Sequence, residues 1–264
     1  MGSKRPRSDE CPIAQNLKYD TIYHVNVAGH TFLIEGNEVE GKFRWRNHPD
    51  NDCLGQNVVL FSRIGMMQAR FEDGVYRWVM AFENHGRGYC HSLAFLLYLC
   101  AAGYSNVNMT MTSLLKMLTS YIQEHIDDPK GPRLGSYRKF FASYRVGVDE
   151  MIERCSLKQR GLTEAHSDAF ANLFDVPVRT FEVDYDSIMK RHRTEWGDYS
   201  GEVFNKLGPA HFRDIIIPST YTMAYVTDTN VCNLLWLNPK PGDNTAHVVL
   251  LGLIEREEPL VELD

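Results

Sequence analysis

The chain has 264 residues, 44% of them hydrophobic and 11% aromatic, which is enough to bury the core of one large domain or two small ones. A formal net charge of -6 and a sequence pI of about 5.9 give no reason to expect a nucleic acid or an anionic membrane as a partner. Six scattered cysteines without a Cys-x-x-Cys pair argue against structural zinc, so we expect no metal and no cofactor. No signal peptide and no apolar run of roughly 18–20 residues is recognised, which predicts the cytoplasm or the nucleus as the location.

The first part of the chain has the pattern of strands. Residues 1–18 are expected to form a disordered tail and residues 19–83 a β-rich region. Alternating or short apolar runs predict strands at Tyr23–Val27, Thr31–Ile34, Lys42–Arg46, Val58–Phe61, Ala69–Phe71 and Val75–Phe82. The Glu72-Asp73-Gly74 segment predicts a hairpin turn between the last two.

Helical patterns dominate the middle of the chain, and strands return after them. Apolar spacing of three to four residues and end signals predict helices at 91–102, Thr112–Asp127, Tyr137–Arg154 and, capped by Thr163, up to Phe174. Apolar runs predict strands at Val176–Val183, Tyr221–Val226, Asn233–Leu237 and His247–Ile254. Residues 184–215 are polar and are expected to form an irregular surface insertion.

Cys90 is the candidate nucleophile because it lies between the glycine-bearing segment 86–89 and an apolar helix. A helix N-terminus carries partial positive charge and unpaired N–H groups, which favour a thiolate, the nucleophilic form of cysteine. The same N–H groups can stabilise an oxyanion that forms beside the sulfur. The sequence therefore predicts nucleophilic catalysis by a cysteine.

A catalytic cysteine needs a base, and His247 is the preferred candidate. It follows a turn-like segment and opens an apolar strand, which would hold the imidazole rigidly. His91 is adjacent to Cys90 on the helix, so its side chain points about 100° away. His85 is a weaker alternative in the preceding loop.

In the order of these segments the chain resembles the ovarian-tumour (OTU) cysteine proteases, most of which are deubiquitinases. Gly88 and Cys90 match the family's Asp-Gly-Asn-Cys motif, whereas Arg87 and Tyr89 replace its aspartate and asparagine. The later resemblances, in family order, are the end of the second helix at Tyr121–His125, a helix-to-strand step at Ala169–Val178, the strand Leu234–Leu237 and the histidine strand from His247. The resemblance covers residues 88–254, and it is carried by the order of the elements.

The resemblance implies a third catalytic residue, but its usual position two residues after the histidine is Val249. Asn244 or Asp243, in the turn before His247, is a candidate for orienting the imidazole. Some family members supply an aspartate from upstream of the cysteine, and the residues that could serve in that way are Asp50, Asp52 and Asn57. We take Asn244 as the working assignment, and Arg87, Gly88 and Tyr89 as the loop beside the oxyanion.

The resemblance implies an α+β, papain-like OTU-type fold, with a catalytic core at residues 84–264 and the β-rich N-terminal region as an extension. It also implies a thiol protease that cleaves isopeptide bonds after ubiquitin or a ubiquitin-like protein. One alternative is a catalytically lapsed OTU-like module that binds a protein partner. A second is an arylamine N-acetyltransferase-like enzyme, whose Arg-Gly-Gly-aromatic-Cys segment is similar to residues 87–90. In that family the histidine follows the cysteine closely, and His125 lacks the strand context that it needs.

Overall fold

A computed structural model describes residues 21–37, 42–45, 64–82, 90–103, 109–128, 136–142, 149–150, 153, 162–183, 209–237 and 247–259. The strands are β1 (Thr21–Val27), β2 (His30–Asn37), β3 (Lys42–Trp45), β4 (Ile64–Arg70), β5 (Tyr76–Phe82), β6 (Val178–Val183), β7 (Ala210–Ile216), β8 (Cys232–Leu237) and β9 (His247–Pro259). The helices are α1 (Cys90–Ala101), α2 (Met111–Glu124), α3 (Tyr137–Ala142) and α4 (Glu164–Phe174), with a 3₁₀ turn at Met223–Tyr225.

The described strands form one sheet that closes on itself. Its order is β3-β2-β1-β9-β5-β4-β7-β6-β8, and β8 also pairs with β9. Six strands (β9, β5, β4, β7, β6 and β8) therefore complete a barrel, and β1 to β3 continue the sheet outward from β9. The long strand β9 joins both parts because it pairs antiparallel with β1, β5 and β8.

Alternation along the strands divides the apolar side chains between two cores. Val249 and Leu251 of β9 lie in a cluster with side chains from all the other barrel strands, which is the barrel interior. Val248 and Leu250 lie in the larger cluster that contains the helices. A strand with apolar residues on both faces has no polar-apolar alternation, because both faces are covered.

The helices form where the local sequence signals predict them. Every residue of α1 is buried, and its Phe95 ring stacks on Phe170 of α4 at 3.9 Å between centroids. Helix α2 begins after Thr110, whose side chain accepts a hydrogen bond from the Ser113 N–H at 3.1 Å. Thr163 is the N-cap of α4, and its N–H donates to Nδ1 of His166 at 3.1 Å. These starts confirm the predicted helices, and α3 confirms the beginning of the third.

The expected α+β, papain-like OTU-type fold with a β-rich N-terminal extension is wrong. The part of the chain that the structure describes is mostly β, with a closed barrel of six strands, and strands β1 to β3 are part of the same sheet as β9. By their sequence patterns the N-terminal and C-terminal strands form separate groups. The pairing of β5 with β9 joins these groups, and it cannot be detected in the sequence because backbone hydrogen bonds between distant strands leave no local pattern.

Individual elements also differ from the prediction. Residues Ala210–Ile216 form β7, although residues 184–215 were expected to be an irregular insertion. The expected strand at Tyr221–Val226 is a 3₁₀ turn, in which Met223 and Tyr225 are exposed. The expected disordered tail and the strand Val58–Phe61 lie outside the described residues, as does most of the third helix beyond Ala142.

No helix in the part of the chain that the structure describes is long and apolar enough to cross a membrane.

Candidate functional site

Cys90 is the first residue of α1, as the sequence predicts. The first turn of this helix carries no acidic side chain, so the helix N-terminus retains its partial positive charge. The Cys90 side chain is free of a disulfide, and the residue is 5% exposed. The cysteine therefore has the local setting that was expected of a nucleophile, within a closely packed environment.

His247 is the first residue of β9, and the structure brings this strand end to Cys90. The backbone N–H of Val248 donates a hydrogen bond to the Sγ of Cys90 at 3.3 Å. The two residues are 158 positions apart in the sequence, so this contact is entirely tertiary.

The described strand pairings place β5 and β8 on either side of β9 near this contact. Strand β5 pairs with β9 from Val79 opposite Leu253 to Phe82 opposite Leu250, and Phe82 is the last residue of β5 that the structure describes. On the other side of β9, His247 pairs with Leu237 and Val248 with Trp236 of β8. The Cys90 side chain, at the start of α1, accepts its hydrogen bond from Val248, two residues before Leu250 on β9.

Alternation along β9 assigns its first side chains to different faces. Val248 packs on the helix side, and His247 has the parity of Val249, which faces the barrel interior. The His247 side chain is half-buried. Cys90 belongs to the same helix-side cluster as Val248, whereas the parity of His247 is that of the barrel-facing residues. Cys90 and His247 therefore lie near the same end of β9, on opposite faces of the sheet by this alternation.

The other expected site residues lie outside the described parts of the chain. They are Arg87, Gly88 and Tyr89 of the expected oxyanion loop, Asn244 as third catalytic residue, its alternatives Asp243, Asp50, Asp52 and Asn57, and the alternative base His85. The described geometry therefore concerns the Cys90 and His247 positions alone.

The His91 side chain contacts residues other than Cys90, as expected for a neighbour on a helix whose side chain points in a different direction. Its Nε2 forms a 3.0 Å hydrogen bond with the Oγ of Ser167 in α4. Its ring packs between Phe95, at 4.6 Å between centroids, and Trp236, at 5.3 Å. Burial lowers the pKa of His91 to about 4, so the ring is neutral at pH 7. Its role is to tie α1 to α4.

A second buried polar group, not expected from the sequence, is centred on Asp168 of α4. Asp168 is 2% exposed, and the hydroxyl of Tyr137 donates to its Oδ2 at 2.5 Å. Burial raises the pKa of Asp168, and the hydrogen bond from Tyr137 opposes this shift. Burial and the Asp168 charge together raise the pKa of Tyr137, so its hydroxyl keeps its proton and acts as the donor.

Asp168 also lines a cavity of about 50 Å³ between α4 and strands β6, β7 and β8. The wall contains three carboxylates, two hydroxyls and two apolar residues: Glu164, Asp168, Asp214, Ser167, Thr180, Ile216 and Trp236. Within the described residues, no group of three or more histidine, cysteine or acidic side chains is arranged to hold a metal ion.

One sequence signal could have identified this polar group. Helix α4 is buried from Ala165 to Ala171, yet this stretch contains His166, Ser167 and Asp168. Polar side chains on a helix without an exposed face need internal partners, because a buried polar atom without a hydrogen bond is destabilising. The partners Tyr137 and His91 belong to other helices, and the sequence did not reveal them.

The chain matches no known protein family, no curated protein and no solved structure.

Proposed function

We propose that this chain is a cysteine-dependent hydrolase in which Cys90 is the nucleophile and His247 is the base. The observation that carries the proposal is the 3.3 Å hydrogen bond from the Val248 N–H to the Cys90 Sγ. It holds a cysteine at a helix N-terminus against the backbone of the residue that follows His247. A nucleophile at a helix start and a base on a core strand are the two parts that thiol catalysis requires.

The proposed reaction is acyl transfer in two steps. His247 takes the proton of the Cys90 thiol, and Sγ attacks the carbonyl carbon of the scissile bond. The backbone N–H of Cys90 and N–H groups of residues 86–89 stabilise the oxyanion. The imidazolium of His247 then protonates the departing amine, which leaves a thioester on Cys90. In the second step His247 removes a proton from water, the hydroxide attacks the thioester, and the carboxylic acid and the thiol are released.

The proposed substrate is an isopeptide bond after ubiquitin or a ubiquitin-like protein. This substrate class comes from the resemblance to OTU cysteine proteases in the order of segments from residue 88 to residue 254. It does not come from the fold, because the papain-like architecture was the wrong expectation. Asn244 is proposed to orient His247, and Arg87, Gly88 and Tyr89 to form the loop beside the oxyanion.

We also place the protein in the cytoplasm or the nucleus. The three described cysteines, Cys90, Cys100 and Cys232, are free thiols, which fits a reducing compartment. The partner in this proposal is the ubiquitin-like modifier, with no nucleic acid and no membrane.

The test is covalent capture by ubiquitin that carries a C-terminal electrophile. The full chain is expected to gain the mass of one ubiquitin, the Cys90→Ala variant none, and the Cys100→Ala variant as much as the original chain. Cys100 is the matched control because it is a free, buried thiol on the same helix. Absence of capture by ubiquitin and by every ubiquitin-like probe, in a folded chain, contradicts the proposal.

The burial of Cys90 favours a second candidate, a protein-binding module without catalysis. At 5% exposure, with its sulfur accepting a backbone hydrogen bond, Cys90 also has the features of a core thiol. In this case ubiquitin or a ubiquitin-like protein binds reversibly, and binding is equal in the Cys90→Ala variant. Isothermal titration with unmodified ubiquitin, run beside the capture experiment, separates the two candidates.

A further inference from the structure

We propose that the cavity between α4 and strands β6 to β8 binds a primary carboxamide, from a small free amide or from a glutamine side chain. The atoms that define the site are Oδ1 of Asp168, the indole N–H of Trp236 and the hydroxyl oxygen of Thr180, and all three residues line the cavity. Neither Cys90 nor His247 is part of its wall, so this proposal does not depend on the proposed hydrolase activity.

Two buried polar atoms of the wall point to a ligand. Asp168 is 2% exposed and Trp236 is 9% exposed. Tyr137, which does not line the cavity, donates to Oδ2 of Asp168, and this leaves Oδ1 for the cavity. Neither Oδ1 of Asp168 nor Nε1 of Trp236 has a hydrogen-bond partner in the described part of the chain. A buried polar atom without a partner is destabilising, and a bound group that supplies the partner removes this cost.

The opposite hydrogen-bonding character of these two atoms selects the kind of ligand. The carboxylate oxygen of Asp168 accepts hydrogen bonds, whereas the indole N–H of Trp236 only donates. An ammonium or guanidinium group has no acceptor for the Trp236 N–H, and a carboxylate has no donor for Asp168. The matching ligand group is therefore neutral and carries both a donor and an acceptor.

Thr180 adds a second acceptor, which distinguishes a carboxamide from an alcohol. Its hydroxyl donates to the backbone carbonyl of Asp214 at 3.1 Å, so its oxygen is left as an acceptor for the cavity. The wall thus offers two acceptors, on Asp168 and Thr180, and one donor, on Trp236. A primary carboxamide carries two N–H donors and one carbonyl acceptor, which complement this set. An alcohol has a single donor and leaves one of the two acceptors unpaired.

The size of the cavity suits the same group. A volume of about 50 Å³ is several times the roughly 10–15 Å³ that one water needs, and it is far below the roughly 300–1,000 Å³ of sites for whole organic ligands. It therefore holds a group of a few heavy atoms, such as a carboxamide with its first carbon. Glu164 and Asp214 are the half-buried residues of the wall, and they mark the side on which the cavity reaches the surface. A longer ligand would continue outward between them.

The first experiment follows the Trp236 indole N–H by NMR in the ¹⁵N-labelled full chain. The chain has four tryptophans, and the Trp236→Phe variant assigns this resonance. Acetamide and Nα-acetyl-glutamine methylamide are each expected to shift it saturably downfield, because the N–H gains an acceptor. Tighter binding of acetamide identifies a small amide as the source, and tighter binding of the glutamine derivative identifies a side chain.

Four control compounds are expected to leave the resonance in place. Methylammonium chloride lacks the acceptor, whereas sodium acetate and N,N-dimethylacetamide lack the N–H donors. Nα-acetyl-alanine methylamide has the backbone amides of the glutamine derivative without its primary carboxamide.

The second experiment uses variants of the wall. In Asp168→Asn the side-chain oxygen accepts from Tyr137 and an N–H group replaces Oδ1, so acetamide binding is expected to weaken about tenfold. Thr180→Val removes the other acceptor at nearly constant volume and is expected to weaken binding about threefold or more. Should Asp168→Asn not fold, Thr180→Val carries the test alone. The matched control is Glu258→Gln, which removes one exposed carboxylate of β9 and should retain binding.

Three results overturn the proposal. The first is a Trp236 resonance that neither amide shifts, which would mean that the cavity takes up water alone. The second is an equal shift with acetate or methylammonium, and the third is acetamide binding that survives the wall substitutions unchanged.

Discussion

The backbone N–H of Val248 donates to the sulfur of Cys90 at 3.3 Å, and this hydrogen bond joins the first turn of α1 to the beginning of strand β9. Both groups are buried, so water cannot readily replace the sulfur as the acceptor. The same thiol that is proposed to attack the substrate therefore also stabilises the strand that begins with His247.

Replacing Cys90 is expected to affect stability as well as activity. Cys90→Ala leaves the Val248 N–H without its acceptor and should lower the free energy of unfolding by about 1–3 kcal/mol. Cys90→Ser keeps an acceptor oxygen and should lose less. Urea unfolding followed by circular dichroism measures both, and Cys100→Ala measures the packing loss of a thiol on the same helix. Equal losses in all three variants would show that the hydrogen bond contributes nothing.

Replacing His247 is expected to affect turnover far more than folding. His247→Ala removes the proposed base and should lower kcat/KM for a ubiquitin–fluorophore substrate by about 100-fold or more. His125→Ala is the control, because His125 is 40% exposed and lies beside Asp128 at the end of α2. A loss smaller than threefold in His247→Ala, in a folded protein, would assign the base to another residue.

Arg179 offers a test of how the barrel is held together. This residue of β6 is 3% exposed, and its guanidinium donates to Glu72 at 2.6 Å and to Asp228 at 2.9 Å. Arg179→Met leaves both carboxylates without this partner, so we expect a loss of about 3 kcal/mol in the free energy of unfolding. The exposed pair of Arg138 with Asp127 is the control, since Arg138→Met should change stability by less than about 1 kcal/mol. Thermal and urea unfolding of both variants gives the comparison. Equal losses of stability would show that the buried ion pairs of Arg179 contribute no more than the exposed pair of Arg138.

The buried histidines predict a pH dependence of stability. Burial lowers the pKa of His91 to about 4 and that of His166 to about 3, whereas an unfolded histidine titrates near pH 6.5. Below about pH 6.5 the unfolded chain takes up protons that the folded chain does not bind. Stability is therefore highest above this pH and falls as the pH decreases toward the folded values.

For His91 alone, the expected loss between about pH 7.5 and about pH 5 is about 2 kcal/mol. Urea unfolding at both pH values measures it. In the His91→Asn variant the difference between the two pH values should shrink by this amount, whatever the variant does to stability at neutral pH. An unchanged pH dependence in His91→Asn would mean that His91 is protonated in the folded state.

Local sequence signals located the two candidate catalytic positions. A glycine-bearing segment before an apolar helix predicted the helix start at Cys90, and a turn before an apolar run predicted the strand start at His247. The apolar stripe of α2 and the N-cap Thr163 of α4 were also predicted from local sequence patterns. These signals depend on residues that are neighbours in the chain, which is why the sequence alone determines them.

Only the tertiary structure decided how these elements meet. The closure of β8 onto β9, the pairing of β5 with β9, and the hydrogen bond from Val248 to Cys90 all join distant parts of the chain. Every residue except proline offers the same backbone donor and acceptor, so strand order has no residue-specific signature, and an α+β fold was expected where a barrel forms. The contact of Asp168 with Tyr137 likewise depends on how α3 and α4 pack, which apolar periodicity cannot specify.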